Sequence, residues 1–372
     1  MAQERFRQTG QQSFFGRWVY DRIVPKDHFL VWLDGIIPWQ RFAKKLVRYY
    51  QGKALYGPAP YNPVIILKML LLSFLYDISE RQTEDLVNFN LVAKCFVGLA
   101  VDEPAPDHST LSLFKARLLE NRKTTAFEML LQEIIAIAKE QGISFGSLQV
   151  LDSVHVIADV NVPKDEGRQS KGQAARDGDA AWGVKHTKKF RDQQGNKVEQ
   201  KEYFYGYKQH ASLNAATGLI TSVTHTPGNA YDGHELPALV MSDVTQGIPV
   251  KTVAADKAYD DGENHEFLWS NHMHSAIRLN DYRTTKKDDN KGIWIALQQS
   301  PEYRAGLKER YKVERKFGEG KEQHGFRRCR YVGLLRFAVQ GFLTVVTMNL
   351  KRLVVLLTGH EKQYGTTAPI LA

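Results

Sequence analysis

The hydrophobic periodicity of the chain changes once, near Ser147, and this change divides the sequence into two regions. Up to about residue 145, apolar residues recur at three- and four-residue spacing, which is typical of helices. From Ser147 onward the segments LQVLDSVHVIADV, YFYGYKQHASLN and GLITSVTHTP alternate and are rich in Val and Ile, which predicts strands. We therefore expect an all-helical domain over residues 1–145, followed by a domain over 146–372 that is built on a sheet.

Local signals predict where the helices of the first region begin. Asn62 before Pro63 has the pattern of an N-cap and first helical position, opening a buried helix through about Tyr76. Ser79 to Gln82 has the spacing of a capping box, which predicts a second helix through TEDLVNFNLVAKCF.

A third helix is predicted to start at or near Ser109, with Lys115 and Arg117 early in its length. Two short helices and a turn before a basic helix resemble a helix-turn-helix unit, in which the basic helix contacts DNA. Any helical bundle has the same outline, so a bundle without DNA contact is the alternative.

The second region reads as three strands in a row, followed by helix, strand, helix and strand. The later elements are a helix near 235–244, the strand KTVAADKAY, a helix near 263–271 and the strand SAIRLN. This order indicates an α/β fold with a mixed sheet and helices packed on it. The polar segments 161–202 and 281–300 are interpreted as loops, and the chain from Pro301 returns to helix, ending in an apolar run that covers one face of the sheet.

The charge balance favours a polyanionic partner. The chain has 50 Lys and Arg against 41 Asp and Glu, a formal net charge of +9. Ten bases and four acids lie between Arg304 and Arg330, so this stretch carries most of the excess. A phosphate backbone is the natural partner of such a density, and Arg315, Arg327 and Arg328 are candidate DNA contacts.

The cysteine and apolar content predict a cytosolic protein. Cys95 and Cys329 are the two cysteines, and without a secretory pattern at the polar N-terminus they are interpreted as reduced thiols. The apolar run from Val64 to Tyr76 is interrupted by Lys68 and is too short to span a bilayer. We therefore expect no membrane insertion.

Two aspartates lie where catalytic groups are expected. Asp152 interrupts an apolar row on the first strand, where an isolated carboxylate must be compensated by a cation, a metal or solvent. A surface aspartate on an edge strand is the alternative, and Asp159 is the competing candidate if the strand register is shifted by one. Asp256 ends the strand TVAAD, where open sheets present binding groups, although such a residue is often only a turn cap.

The third acid is Glu314, on a predicted helix. Arg310 lies one turn before it and Lys321 two turns after it, so the three can share a face. An ordinary solvated helix with ion pairs is the alternative, and Gly318 and Gly320 weaken the helix on which this geometry depends.

Taken together, these segments resemble an insertion-sequence DDE transposase of the insertion-sequence-five type, within the group that carries the YREK signature. The resemblance covers nearly the whole chain, through NPVIILKMLLLSFLYDISERQTEDL, LDSVHV, YGYKQHASLNAATGLITSVTHTPGNAYD and ADKAYDD. The spacing Y-x2-R-x3-E-x6-K matches at Arg310, Glu314 and Lys321. It departs at the first position, where Leu307 replaces tyrosine.

The resemblance implies a ribonuclease-H-like core in which Asp152, Asp256 and Glu314 converge to bind two Mg²⁺ ions, with Mn²⁺ as a substitute. Arg310 and Lys321 would contact phosphates near the cleaved bond. Lys208 is a further phosphate contact, with a solvated strand-edge lysine as the alternative. No His or Cys cluster suggests zinc.

The function implied is a DNA transposase that binds terminal inverted repeats, cleaves the element ends and joins them to target DNA. Such a protein would work as a homodimer on double-stranded DNA, in the cytoplasm of a prokaryote, and bind the nucleoid. A domesticated DNA-binding repressor without catalysis, or a related nuclease without strand transfer, is the alternative.

Overall fold

The computed structural model describes residues 14–50, 59–119, 122–191, 197–285 and 290–359, together with residues 6, 7 and 9. The chain forms two compact units. The first comprises residues 1–137, 323–325 and 343–372, and the second comprises 138–322 and 326–342. The expected division at residue 145 thus lies just beyond the division in the structure. The C-terminal part of the chain contributes to the first unit because its last helix is continuous, and helical periodicity does not indicate where one helix changes units.

The first unit is helical, as predicted. Its helices are α1 (Phe14–Ile23), α2 (Phe29–Ile36), α3 (Trp39–Leu46), α4 (Pro63–Leu75), α5 (Glu80–Phe89), α6 (Leu91–Val97), α7 (His108–Leu118) and α8 (Thr125–Glu140). The Asn62 side chain accepts a hydrogen bond from the N–H of Val64 at 3.0 Å, and Ser79 and Gln82 form the predicted capping box. Both local predictions are confirmed.

Two details of this unit differ from the prediction. The single helix expected through TEDLVNFNLVAKCF is two helices, α5 and α6, because Asn90 leaves the helical conformation and its side chain caps α6 at Ala93 N. The third helix begins at His108, after the N-cap Asp107, in agreement with the predicted start at or near Ser109. The helix ends at Leu118, however, so Lys115 and Arg117 lie in its last turn rather than early in its length.

The second unit is a six-stranded mixed sheet with helices, the mixed α/β fold predicted from the order of its elements. Its elements are β1 (Leu148–Ile157), α9 (Val162–Gln169), β2 (Ala181–Arg191), β3 (Lys197–Asn214), β4 (Ile220–Pro227), α10 (Leu236–Thr245), β5 (Thr252–Ala255), α11 (Gly262–Ser270), β6 (His274–Ile277), α12 (Lys291–Gln299), α13 (Pro301–Glu309), α14 (Tyr311–Gln323) and α15 (Leu334–Thr358). β1 is central, antiparallel to β3 and parallel to β5, which pairs in parallel with β6. The C-terminal half of β3 also pairs with β4, and its N-terminal half pairs with β2.

The two segments interpreted as loops contain regular structure. Residues 161–202 include α9, β2 and the start of β3, and residues 281–300 include α12. The hydrophobic pattern does not mark these elements, because a two-stranded hairpin and a short surface helix bury little apolar surface. Trp294 supplies the buried contact that holds α12, 4% exposed against Leu279 and Tyr303. Residues 192–196 and 286–289 of these segments lie outside the described residues.

The last helix, α15, covers one face of the sheet with its N-terminal half, as predicted. Phe337 stacks on Tyr207 of β3 at 4.9 Å and meets His225 of β4 edge-on at 5.4 Å. Within the described residues, α15 is long and apolar enough to cross a membrane by length and composition, and 67% of its most apolar window is buried inside the protein. Buried polar residues such as Gln340 and Asn349 interrupt its apolar sequence.

Helix α13 packs directly on β5 and β6 because Gly306 has no side chain. A Cβ at this position would lie 2.5 Å from the Cβ of Ala276 and 3.3 Å from that of Ala254. The close approach fixes the start of α14, which follows α13 after a single residue.

We expect Gly306→Ala to lower the free energy of unfolding by about 1–3 kcal/mol, since overpacking a core outweighs the better helix propensity of alanine. Gly318→Ala in α14 is the matched control, because an added Cβ there meets nothing within 4 Å. The control should be neutral or stabilising by up to about 1 kcal/mol. Urea unfolding of both variants measures the difference, and equal stabilities would contradict the packing described.

Candidate active site

Asp152 and Asp256 lie side by side where the parallel pairing of β1 with β5 ends, in the middle of β1 and just after β5. The register of β1 and β5 pairs Leu148 with Thr252 and Val150 with Ala254. Asp152 and Asp256 each follow two residues after that last pair, so the two carboxylates leave adjacent strands at the same level. This is the edge of an open parallel arrangement at which ligands bind.

Each aspartate is oriented by one backbone N–H. The N–H of Ser153 donates to Asp152 Oδ1 at 2.8 Å, and the N–H of Ala258 donates to Asp256 Oδ1 at 2.9 Å. These bonds leave Oδ2 of each carboxylate without a hydrogen-bond partner among the described residues. Both side chains are therefore fixed, with one oxygen available to a cation.

Arg310 joins Asp152 to the third predicted acid. Its Nη2 lies 4.0 Å from Asp152 Oδ2 and 3.7 Å from Glu314 Oε1. The Arg310 side chain is 14% exposed, and its buried Nε has no hydrogen-bond partner among the described atoms. The carboxylate of Glu314 is 60% exposed and therefore keeps rotational freedom. The structure thus brings Asp152, Asp256, Arg310 and Glu314 together.

Burial and mutual repulsion disfavour the ionised acids. Burial, with the Asp256 carboxylate adding to it, raises the pKa of Asp152 to about 7. Burial also raises the pKa of Asp256, against the opposing hydrogen bond from Ala258 and the charge of Arg310. Neighbouring carboxylates with raised pKa values are typical of functional sites.

Lys321 lies on the same helix as Glu314, because α14 continues through Gly318 and Gly320 to Gln323. Burial lowers the pKa of Lys321, and the nearby cations Arg327 and Lys185 act in the same direction while Asp152 opposes them. Within the part of the chain that the structure describes, Lys321 forms neither a hydrogen bond nor an ion pair. It is a half-buried cation beside the acids with its donors available.

The remaining bases of this stretch are on the surface. Arg315 is exposed, Arg327 pairs with Glu322, and Arg328 Nε lies 3.2 Å from Asp159 Oδ1. Backbone hydrogen bonds join the segment of Arg327 to the end of β1 at Ile157. Asp159, the competing candidate for the first acid, is thus paired outside the carboxylate group.

The three other predicted DNA contacts, Lys208, Lys115 and Arg117, lie in different environments. The Lys208 side chain is 15% exposed and donates to Asp232 Oδ1 at 2.7 Å, so it is not a solvated strand-edge lysine. In the first unit, Lys115 is buried and pairs with Glu80 of α5, whereas Arg117 is exposed.

Leu307, in place of the signature tyrosine, lies in α13 and is half-buried against Leu279, Trp294 and Tyr303. It contributes apolar packing at this position. A tyrosine at this position of α13 would add a hydroxyl group, which leucine lacks.

Sequence reasoning missed Asp232, which lies in a 3-10 turn (Asp232–Glu235) after β4. Its Oδ1 accepts from Lys208 and its Oδ2 accepts from Ser153 Oγ at 2.7 Å. Its charge is also one of the causes that raise the pKa of Asp256. No local pattern marks it, because both partners are distant in sequence and only the sheet register brings them together.

Two families of known proteins match this chain. Residues 18–117 match the family described as Transposase domain (DUF772), and residues 172–350 match the family described as Transposase DDE domain. The second match contains Asp256 and Glu314 and begins after β1. The chain is a DDE transposase. It is accordingly a DNA transposase and a metal-dependent polynucleotidyl transferase, and the repressor and simple nuclease are not favoured.

Solved structures similar to the transposase are also transposase complexes. The piggyBac transposase synaptic complex with hairpin DNA is 9% identical, with a TM-score of 0.41 over 89% of this chain and 74% of that chain. The Mos1 transposase paired-end complex with the left transposon end is 8% identical, with a TM-score of 0.20 over 83% of this chain and 90% of that chain. These overall superpositions are too loose to assign individual residues.

The donor set of the transposase fits a hard divalent cation. Magnesium and manganese take oxygen ligands, and Asp152 and Asp256 each present an unbonded Oδ2 beside Glu314. Within the described chain, three donor atoms all lie within 4.8 Å of one another only at Glu84, Asp107 and His108. There the Glu84 carboxylate caps α7 by accepting from the N–H of His108 at 2.8 Å, which is a structural role. The ligand atoms of Asp152, Asp256 and Glu314 do not all lie within that distance of one another.

Proposed function

We propose that Asp152, Asp256 and Glu314 are the catalytic carboxylates of this transposase and hold two Mg²⁺ ions, for which Mn²⁺ substitutes. The observation that carries this proposal is the convergence of Asp152 and Glu314 on Arg310 Nη2, at 4.0 and 3.7 Å, with Asp256 on the neighbouring strand. When bound, two such ions supply an activated nucleophile, a stabilised leaving oxygen and neutralised phosphate charge.

The protein's own groups orient the DNA strand around these acids. The backbone N–H groups of Ser153 and Ala258 hold the aspartates, so no reorganisation is needed when the strand arrives. Arg310, with a buried and unpartnered Nε, and Lys321, with free donors, bind the phosphate oxygens next to the cleaved bond. Arg315, Arg327 and Arg328 extend the contact along the flanking backbone.

The helical unit binds the terminal inverted repeats through the surface of α7 that carries Arg117. Lys115 supports this surface through its buried ion pair with Glu80, which joins α7 to α5. The match at Arg310, Glu314 and Lys321 supports a transposase of the insertion-sequence-five type in the YREK group. Because two element ends must be brought together, the active form is a homodimer on double-stranded DNA, in the cytoplasm of a prokaryote and bound to its nucleoid.

An assay with labelled element-end DNA and Mg²⁺ or Mn²⁺ tests the proposed function. We expect cleavage at the element end followed by products joined to target DNA. Cleavage without joined products would indicate a nuclease, and binding without cleavage would indicate a repressor. Either outcome would contradict the proposal.

Removing the charge of Lys321 should weaken DNA binding and its salt dependence. If Lys321 binds one phosphate, Lys321→Gln lowers the slope of log K against log salt by about 0.9. Lys308→Gln is the matched control, because Lys308 lies near Gly146 and Leu148 at the opposite end of β1. Fluorescence anisotropy across a salt series measures both slopes, and identical slopes would remove Lys321 from the DNA contact.

A further inference from the structure

A continuous chain of hydrogen bonds runs from Lys208 to the first catalytic carboxylate. Lys208 Nζ donates to Asp232 Oδ1 at 2.7 Å, Ser153 Oγ donates to Asp232 Oδ2 at 2.7 Å, and Ser153 N donates to Asp152 Oδ1 at 2.8 Å. Lys208 also donates to the carbonyl of Ala230 at 2.9 Å. Each oxygen of Asp232 therefore accepts a hydrogen bond from a different residue.

The chain of hydrogen bonds links three separate elements around the middle of β1. Ser153 belongs to β1, Lys208 to β3, and Asp232 to the 3-10 turn after β4. The side chains of Lys208 and Asp232 are 15% and 13% exposed, so this ion pair is far less screened than a surface pair. Removing one partner would leave a largely buried charge, which is strongly destabilising.

Ser153 has two distinct tasks in this chain. Its backbone N–H selects Oδ1 of Asp152, which leaves Oδ2 directed to the side where Arg310 Nη2 lies. Its hydroxyl is held by Asp232 on the other face of the strand, since neighbouring side chains alternate between faces. The position of the Asp152 carboxylate thus depends on Asp232 through the backbone of Ser153.

We propose that Asp232 is a positioning residue of this transposase, which orients Asp152 for metal binding through Ser153, with Lys208 as its counterion. The proposal rests on the proposed function, because it takes Asp152 as a metal ligand. It gives Lys208 a role inside the protein rather than on the DNA phosphate. Hydrogen-bonded partners that orient metal-binding carboxylates typically contribute 10–100-fold to metal affinity or activity.

The test is Mn²⁺ binding without DNA, measured by electron paramagnetic resonance on the full chain. We expect Asp232→Asn and Ser153→Ala each to weaken Mn²⁺ binding by about 10-fold, and the double variant to lose no more than the stronger single one, since both break one chain. Ser153→Thr keeps the hydroxyl and should retain wild-type binding. In the cleavage assay, kcat should fall while KM for DNA stays unchanged.

Several outcomes would overturn the proposal. Wild-type Mn²⁺ affinity in Asp232→Asn and Ser153→Ala would contradict it, and so would additive losses in the double variant. Melting temperatures identify a variant that has failed to fold; should Asp232→Asn unfold, Ser153→Ala, which deletes only a hydroxyl, decides alone. Asp152→Asn measured in parallel separates the two claims. If Asp152→Asn binds Mn²⁺ like the wild type, the proposed function fails; if it alone loses Mn²⁺, only the role of Asp232 fails.

Discussion

Asp152→Asn is expected to reduce DNA cleavage by about 10³-fold or more while leaving DNA binding intact. The amide keeps the shape of the side chain and the hydrogen bond from Ser153 N. It removes the negative charge with which Asp152 would bind a metal ion beside Glu314. Metal ions contribute several kcal/mol to stabilising the reacting phosphate, and each 1.36 kcal/mol is tenfold in rate. We expect the same loss for Asp256→Asn and Glu314→Gln.

The control for this experiment is Asp159→Asn, because Asp159 follows Asp152 by seven residues and lies two residues beyond the end of β1. Asp159 pairs with Arg328 and lies outside the carboxylate group. It should cleave element ends at close to the wild-type rate. Full activity in any one of the three catalytic variants, measured on labelled element-end DNA with Mg²⁺, would remove that residue from the site.

The second large effect is a loss of stability with rising pH in the metal-free protein. The pKa of Asp152 is about 7 in the folded chain, against an ordinary value of 3.8. Between these values the folded state keeps a proton that the unfolded state has released, so unfolding releases a proton and the free energy of unfolding falls as the pH rises. The contribution of Asp152 is therefore lost progressively from about pH 4 to pH 7.

Other buried groups titrate in the same range, so the comparison must be made against a variant. Burial raises the pKa of Asp243 to about 6, which acts in the same direction as Asp152. Burial lowers the pKa of His155 to about 4, which acts in the opposite direction because the imidazole must charge on unfolding. Both contributions cancel when the free energy of unfolding of Asp152→Asn is compared with that of the wild type at each pH.

We expect Asp152→Asn to become more stable than the wild type by about 2 kcal/mol at pH 8 in EDTA, relative to their difference at pH 4. One pKa unit is worth about 1.36 kcal/mol, and we discount the full shift because Asp152 keeps some contact with solvent. Added Mg²⁺ should stabilise the wild type at pH 8 and not the variant. Urea unfolding across the pH range measures this difference. Parallel curves of the free energy of unfolding against pH for the two proteins would contradict the burial of Asp152 beside the Asp256 carboxylate.

The parts of the fold that follow from neighbouring residues were predictable from the sequence. The caps at Asn62 and Ser79 depend on residues two or three positions away, and the strands around Asp152 and Asp256 alternate clearly. β1 and β5 are adjacent and parallel, which brings the two aspartates to the same level of the sheet. The break at Asn90 was not predicted, since a polar residue inside an apolar periodicity gives no sign that its side chain will cap the next helix.

The parts that depend on distant contacts were not predictable. The hairpin of β2 and β3 has few apolar residues, so its polar strands resembled a loop. Lys208 had the pattern of a surface lysine because its partner Asp232 lies 24 residues away in sequence. Likewise, Lys115 was expected on DNA, yet its partner Glu80 lies on another helix. In each case the charge of the side chain can be read from the sequence, whereas its ion-pair partner is known only from the fold.

The most direct test of the account is anomalous diffraction from crystals of the transposase bound to element-end DNA and Mn²⁺. The account predicts two Mn²⁺ peaks about 3.5–4 Å apart, coordinated by carboxylate oxygens of Asp152, Asp256 and Glu314. Peaks at Glu84, Asp107 and His108 alone, or none near Asp152 and Asp256, would contradict it.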